Sequence, residues 1–295
     1  MNFAVIGGDM RSVYLSSFLK RAGFKVSCFA LDDAPGGKID SCAPSAKKAV
    51  LGADCVILPL PVVNMRGKLN APLSAFSYEI EDILRSIPQN VLVCAGKPDG
   101  RVRDLADDLK LSFVDYFSRE ELVALNALLT AEGAISIVLR ESPITIWDSE
   151  VLIIGFGRIG RMLAERMRAL GAKVTVSGKD AGDMAYIRAM GCFALETRAL
   201  ACELKGFDTV INTVPSRILG REQLKHIDPQ SLCIDLASKP GGIDLEAAKD
   251  LNINVMWVLG LPAETAPITA GKIIMETVLN IMQEKVQGVL DVPGR

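Results

Sequence analysis

The sequence predicts an α/β protein built from two doubly wound, parallel-sheet domains. The chain has 295 residues, enough for two domains at the usual ~100–200 residues each. Short apolar runs alternate with amphipathic helical segments, and this alternation breaks once near the middle of the chain and then restarts. Because parallel strands are covered on both faces, nearly continuous apolar runs are the pattern expected for them.

Five strands are predicted in a first domain of residues 1–120. They are expected over residues 3–7, 25–30, 54–60, 90–95 and 112–117, with helical patterns between them, for example over 11–22 and 77–86. This order of elements predicts an open βαβ sheet of the flavodoxin or Rossmann type.

A long helix is predicted to join the two domains. Residues 119–139 have helical periodicity and precede a polar turn, so the bridging segment is assigned to residues 121–145. Six more strands are expected in a Rossmann-like domain of residues 146–269, over 151–155, 173–177, 192–195, 208–214, 232–237 and 254–259. A last helix over about 270–287, within residues 270–295, is expected to return to the first domain and leave an inter-domain cleft.

The second domain opens on the motif Gly155-Phe156-Gly157-Arg158-Ile159-Gly160, which matches the pattern G-x-G-x-x-G. The motif follows an apolar strand and opens an amphipathic helix, which is the context that gives this pattern its meaning. Gly155 allows a tight turn, Gly157 lets a pyrophosphate approach the backbone, and Gly160 lets helix and strand pack closely. These six residues therefore predict a nicotinamide dinucleotide site; the alternative is a glycine-rich turn that binds nothing.

The end of the next strand favours NADP over NAD. NAD sites place a carboxylate there to accept from the ribose 2′-hydroxyl, whereas this chain has Ser177-Gly178-Lys179. A hydroxyl, a glycine and a cation suit a 2′-phosphate better, and Arg158 adds positive charge. The alternative for Lys179 is an ordinary solvated loop lysine.

A second glycine-containing loop, Gly7-Gly8-Asp9, follows the first strand. It lacks the third glycine, and Asp9 brings a negative charge to the place where phosphates bind in such loops. We interpret it as part of a substrate-binding or inter-domain surface; equally, Asp9 caps the helix that follows.

Three loops at the carboxyl ends of strands in the second domain are candidates for ligand contact: residues 212–217, 237–242 and 260–271. Thr213, Val214 and Pro215 are predicted to contact the cofactor. A carboxylate-binding site is predicted from charged and N–H donors in the second loop, and the alternative is that these loops are merely turns. The candidate substrate-binding residues are Asn212, Ser238, Lys239, Gly241, Gly242 and Thr269, and the candidate catalytic residues are Lys239, Ser238 and Glu132, although Glu132 also suits a helix surface.

Several function classes are excluded by the composition. The net charge is −2 without a basic stripe, so neither nucleic acid nor a membrane is an expected partner. One histidine and seven cysteines without a C-x-x-C pair make a metal site unexpected.

The single histidine, His226, precedes a strand, so we expect it at the edge of the sheet opposite to the one that binds ligands. This position argues against the histidine-dependent mechanism of 2-hydroxy-acid dehydrogenases. Unpaired cysteines and the lack of a signal-peptide pattern predict a cytoplasmic protein.

Over nearly its whole length the sequence resembles the family formed by the A subunits of dipicolinate synthase. The resemblance rests on residues 4–11, Glu132-Gly133, the glycine motif at 155–160, and residues 211–216, 235–242, 260–262 and 266–271. The family pattern has arginine where this chain has Lys239, which keeps the charge but loses a bidentate donor pair.

The resemblance implies a function in making dipicolinic acid during sporulation. It implies that a lysine-pathway intermediate, 4-hydroxy-tetrahydrodipicolinate, loses water to give dihydrodipicolinate, which an NADP-linked oxidation converts to dipicolinate. It also implies a flavoprotein-like B subunit carrying FMN, a homo-oligomer, and the mother cell as the location. Two alternatives stay open: an NADP oxidoreductase acting on another cyclic or amino-acid substrate, and a non-catalytic binding subunit whose partner performs the redox step.

Overall fold

The protein, represented by a computed structural model, divides into two compact units. Residues 1–37, 39 and 41–288 are described. Unit 1 comprises Met1–Leu125 and Ala266–Arg295, and unit 2 comprises Asn126–Thr265. Each unit contains one parallel sheet covered by helices, so the predicted fold class of two parallel-sheet α/β domains is confirmed.

Unit 1 has a five-stranded sheet in the order β2-β1-β3-β4-β5, the flavodoxin-like arrangement. Ligands in such sheets bind beyond the carboxyl ends of the strands. The strands are β1 (Asn2–Ile6), β2 (Lys25–Phe29), β3 (Cys55–Ile57), β4 (Leu92–Ala95) and β5 (Ser112–Asp115). The helices are α1 (Met10–Arg21), α2 (Ala46–Ala49), α3 (Ile80–Arg85), α4 (Gly100–Asp108) and α11 (Pro267–Val286), and α5 (Glu120–Glu141) begins in this unit.

The C-terminal helix α11 packs against α1, so it returns to the first unit as predicted. Gly271 makes the close approach possible, because a Cβ there would lie 2.6 Å from the carbonyl oxygen of Arg11. Arg119 also holds α11 through two hydrogen bonds to the carboxylate of Glu284, of 2.7 and 2.6 Å. This pairing raises the pKa of Arg119 and lowers the pKa of Glu284.

Unit 2 has a six-stranded sheet in the order β11-β10-β9-β6-β7-β8. Counted from its own first strand, this is the Rossmann order 3-2-1-4-5-6. Its strands are β6 (Glu150–Ile154), β7 (Lys173–Gly178), β8 (Phe193–Glu196), β9 (Thr209–Asn212), β10 (Leu232–Asp235) and β11 (Val255–Trp257). Its helices are α6 (Arg158–Ala169), α7 (Ala181–Ala189), α8 (Arg221–Leu224), α9 (Leu245–Asp250) and α10 (Leu261–Thr265).

Helix α5 has the length and apolar composition that a membrane-spanning helix needs. Among the described residues it is the only helix that does. More than half of its apolar window is buried inside the protein. Ala134, Ile137 and Val138 pack into the core of unit 2 around β6 and α6. Packing inside a core accounts for the apolar composition of this helix without a membrane.

Several strands end earlier than the hydrophobic runs predicted. The runs over 112–117, 208–214 and 232–237 extend past the last ladder residues, Asp115, Asn212 and Asp235. The apolar residues that follow stay largely buried but leave the sheet to form loops, and hydrophobicity alone does not separate these two states.

Gly271→Ala tests the packing of α11 on α1. Alanine favours a helix by up to ~1 kcal/mol, but its methyl group would be forced against backbone, so we expect a net loss of about 1–3 kcal/mol. Urea unfolding measures the change. Gly100→Ala is the matched control, because nothing lies within 4 Å of a Cβ there; equal stability of the two variants would contradict the close approach.

Candidate functional site

The carboxyl end of β6 turns sharply into α6. Gly155 has φ +100°, and a Cβ there would lie 2.7 Å from Thr213 Oγ1 and 2.7 Å from Val214 Cγ2. A Cβ on Gly160 would overlap the carbonyl oxygen of Gly155. Both glycines are therefore required by the packing of the helix against the strand.

Gly157 differs from these two glycines, because nothing lies within 4 Å of a Cβ there. It is the N-cap residue of α6 and supplies no side-chain hydrogen bond to the first turn. The N-cap residue therefore caps none of the N–H groups of that turn, which carry the positive end of the helix dipole. Helix ends of this kind bind phosphate, and the lack of a side chain at Gly157 leaves the backbone open to the approach of a pyrophosphate.

The other members of the motif flank this turn. Arg158 is exposed at the start of the helix, and Ile159 packs partly against the core. Phe156 is buried, its carbonyl accepts from Arg161 Nε at 3.1 Å, and the Arg161 guanidinium lies 4.5 Å from its ring centroid. Phe156 therefore shapes the turn through its backbone and its packing.

The end of β7 corrects one predicted contact. The sequence predicts that Ser177 contacts the cofactor, but its side chain is fully buried, and its Oγ accepts from the N–H of Gly155 at 3.0 Å. The hydroxyl ties β7 to the glycine turn and does not reach a ligand in this arrangement. Gly178 also has no room for a side chain, since a Cβ would lie 2.8 Å from Asp183 Cβ. Lys179 is the first exposed side chain beyond β7.

Thr197 is a structural residue that the sequence did not reveal. Its Oγ1 donates to the carbonyl of Gly178 at 2.9 Å and lies 3.4 Å from Ser177 Oγ. The residue follows β8, whose end is paired with the end of β7. It holds the backbone before Lys179 in place.

Asp235, at the end of β10, is the centre of a buried hydrogen-bond network. One carboxylate oxygen accepts from Asn212 Nδ2 at 2.7 Å and from the N–H of Ala237 at 3.0 Å. The other accepts from the N–H groups of Gly242 at 2.8 Å and Ile243 at 3.2 Å. Four donors compensate the burial of this carboxylate, and they fix the loop that runs from 236 to 243.

This network corrects three predicted substrate contacts. Asn212 is fully buried, and its amide is bonded to Asp235 and to Val214. The N–H of Gly242 donates to Asp235, and the N–H of Gly241 donates to the carbonyl of Ser238. These groups hold the two loops together, so they do not form the predicted carboxylate site.

Ser238 and Lys239 remain exposed on this loop. Just before them, the carbonyl of Ala237 accepts a hydrogen bond from Trp257 Nε1 at 2.9 Å. Thr213 and Val214 are half-buried against Gly155, and Pro215 is exposed next to them. The exposed side chains at this edge of unit 2 are therefore available for a ligand.

Two predicted residues lie elsewhere. Glu132 is exposed on α5, 3.9 Å from Arg166 Nε. Arg166 is eight residues, or about 12 Å of helix, beyond the start of α6, so Glu132 suits the helix-surface alternative. Thr269 lies in the first turn of α11 and belongs to unit 1. His226 is exposed and precedes β10, at the amino edge of the sheet as expected.

The loop Gly7-Gly8-Asp9 in unit 1 agrees with the capping alternative. Asp9 Oδ1 accepts from the N–H of Arg11 at 2.9 Å and caps α1. Its carboxylate also pairs with the Arg11 side chain at 2.8 Å, and this guanidinium donates to the carbonyl of Leu60.

Comparison with known proteins agrees with this geometry. Residues 2–117 match the family model of the N-terminal domain of the dipicolinate synthase A subunit. The A subunit of dipicolinate synthase from Bacillus subtilis is 29% identical over 286 residues, covering 96% of each chain. The chain is a relative of this subunit. The resemblance predicted from the sequence is thus confirmed.

Solved structures extend the relationship. The structures of the dipicolinate synthase A subunits from Bacillus halodurans and Bacillus subtilis have TM-scores of 0.85 at 28% and 29% identity, covering 95% and 98% of this chain and 97% of each relative. Residues 131–240 match the NAD-binding domain of D-isomer specific 2-hydroxyacid dehydrogenases. The D-lactate dehydrogenase of Escherichia coli, 17% identical with a TM-score of 0.60 over 100% of this chain and 99% of that one, shares the fold. Unit 2 thus has the dehydrogenase type of nicotinamide cofactor domain.

Asp235→Asn tests whether the buried carboxylate organises the two loops. The amide has one acceptor oxygen, and its NH₂ group would face N–H donors, so we expect a loss of about 2–4 kcal/mol in the free energy of unfolding. Urea denaturation gives the value. Asp228→Asn, at an exposed carboxylate, should change stability by less than about 0.5 kcal/mol; a similarly small effect at Asp235 would contradict the assigned network.

Proposed function

We propose that the chain is the NADP-linked component of dipicolinate synthase and oxidises dihydrodipicolinate to dipicolinate. The observation that carries this proposal is the start of α6, where the N-cap residue Gly157 has no side chain and nothing lies within 4 Å of the place a Cβ would take. This feature belongs to a chain related along 96% of its length to the A subunit of dipicolinate synthase. Another cyclic or amino-acid substrate is not favoured by any contact in the described residues.

NADP rather than NAD is supported by the end of β7. An NAD-type carboxylate at Gly178 has no room beside Asp183, and the hydroxyl of Ser177 is buried. Lys179 is then the first side chain that a ribose 2′-substituent meets, and an ammonium group attracts a 2′-phosphate.

The reaction removes two electrons and two protons from the ring, as a hydride and a proton, and leaves an aromatic pyridine. When bound, the nicotinamide supplies the hydride acceptor. Formation of the aromatic ring favours loss of the proton to water, so no strong side-chain base is required, which suits a chain whose single histidine lies at the amino edge of the sheet. We assign Lys239 and Ser238 to binding of a substrate carboxylate, because both are exposed donors on a loop fixed by Asp235.

The wider setting follows from the relatives. Their designation as the A subunit implies a second, B subunit, and we propose that this partner is a flavoprotein with FMN. We also propose that both components act in the cytoplasm of the sporulating mother cell, and that a lysine-pathway intermediate supplies the substrate.

The direct test is turnover by the purified chain. Freshly generated dihydrodipicolinate and NADP should yield reduced cofactor, followed by its absorbance, together with dipicolinate. Turnover that needs the flavoprotein partner but no NADP would assign the redox step to that partner. No turnover with or without the partner would refute the proposal.

Gly157→Asp should abolish cofactor binding without unfolding the protein. The carboxylate enters the space proposed for the pyrophosphate and repels it, whereas no protein atom within 4 Å opposes the new Cβ. Fluorescence titration with NADPH measures binding, and thermal unfolding measures stability. Gly160→Ala is the contrasting variant, since it should lower the Tm through overlap with Gly155; unchanged NADPH binding by Gly157→Asp would contradict the site.

Lys179→Ala should reduce the preference for NADP over NAD. Removing an exposed charge-assisted contact costs about 1–2 kcal/mol, so NADPH affinity should fall roughly tenfold while NADH affinity stays constant. Lys205→Ala, an exposed lysine before β9, serves as the control. Equal weakening of both cofactors would show that Lys179 does not contact the 2′-phosphate.

A further inference from the structure

An exposed lysine in unit 1 adopts a backbone conformation that normally belongs to glycine. Lys97 lies two residues beyond the end of β4 and has φ +51°, in the left-handed region. Lys110 also lies in this region, at φ +54°, but it follows the end of α4, where left-handed residues commonly terminate helices. Lys97 has no helix to terminate, so its conformation needs another explanation.

The surroundings of Lys97 enforce this conformation. The preceding residue must be glycine, because a Cβ on Gly96 would overlap Tyr116 Oη and lie 2.7 Å from Leu60 Cβ. The N–H of Lys97 donates to Asp115 Oδ1 at 3.0 Å. Asp115 is held in turn by Arg103 Nη2 at 2.5 Å. Strain that is maintained by its neighbours in this way is concentrated at functional sites.

The turn places the lysine at the edge where ligands bind in open α/β sheets, beyond the carboxyl ends of the strands. Its side chain is exposed, with Nζ 5.9 Å from the ring centroid of Phe117. Two other cations of unit 1 are engaged elsewhere: Arg11 pairs with Asp9, and Arg103 pairs with Asp115.

The comparisons divide the chain in a way that bears on this lysine. Residues 2–117 match a family model specific to dipicolinate synthase, whereas residues 131–240 match a cofactor domain found in dehydrogenases of other substrates. Residues that select the substrate are therefore expected in unit 1. A dicarboxylate requires cationic donors, and Lys97 is an exposed one in the matched segment.

We propose that Lys97 is a carboxylate-binding residue of unit 1 that selects a dicarboxylate substrate. This assignment rests on the proposed function, since it takes its ligand class from the substrate proposed there. The turn fixes the backbone from which the Lys97 side chain extends, and the ammonium group donates a charge-assisted hydrogen bond to the carboxylate.

Three variants of the full chain test the proposal. Lys97→Gly removes the ammonium group and relieves the backbone, Lys97→Arg keeps a cation, and Lys110→Gly relieves the same backbone conformation at a helix end. Calorimetry measures binding of dipicolinate, fluorescence titration measures binding of NADPH, and thermal unfolding measures the Tm.

We expect both glycine variants to keep or raise the Tm, by up to about 4 °C. Only Lys97→Gly should weaken dipicolinate binding, at least about tenfold, with NADPH binding unchanged, and Lys97→Arg should retain most of the affinity. Such a variant would be as stable as the unmodified chain and defective in binding one ligand, which a purely structural role does not produce.

Two results would overturn the assignment of Lys97 without touching the proposed function. One is dipicolinate binding by Lys97→Gly equal to that of the unmodified chain; the other is a large drop in Tm for Lys97→Gly but not Lys110→Gly, which makes the lysine structural. If the unmodified chain binds no dipicolinate, the substrate class in the proposed function fails, and the assignment of Lys97 fails with it.

Discussion

The close approach of α6 to the end of β6 is the constraint on which the cofactor site depends. A Cβ on Gly160 would overlap the carbonyl oxygen of Gly155, so the helix reaches the sheet only because residue 160 lacks a side chain. The same turn contacts Thr213 and Val214, which follow the neighbouring strand β9. In this sheet the strand order reverses between β6 and β9, where doubly wound proteins bind their ligands. Helix packing thus brings the N–H groups at the start of α6 to that position.

At the carboxyl edge of the sheet in unit 2, buried polar groups hold the loops in place, and exposed polar groups remain accessible to a ligand. Ser177 bonds the glycine turn, and Asp235 joins the loops after β9 and β10. Each of these buried groups has its hydrogen bonds satisfied within the protein, which limits the cost of burying it. Lys179 and Lys239, in contrast, are exposed on backbones that these contacts fix. An arrangement of this kind positions flexible side chains without burying their charge.

The two-sheet fold, and the tight turn at the glycine motif, could be predicted from the sequence because both follow from local patterns. It did not predict the hydrogen bonds of Ser177, Asn212 and Gly242, since their partners are 22, 23 and 7 residues away. Pairing across that distance depends on strand order, which apolar runs do not specify. The capping of α1 by Asp9 was one of two predicted alternatives, because a capping residue and its helix are adjacent in sequence. Lys97 gave no sequence signal, as its conformation is imposed by tertiary contacts.

A crystal structure of the chain with NADP is the most direct test of the central claim. We expect pyrophosphate oxygens within hydrogen-bonding distance of the N–H groups at the start of α6, above Gly157. We also expect the 2′-phosphate beside Lys179. A dinucleotide bound at the loop Gly7-Gly8-Asp9, or a pyrophosphate away from α6, would contradict the account.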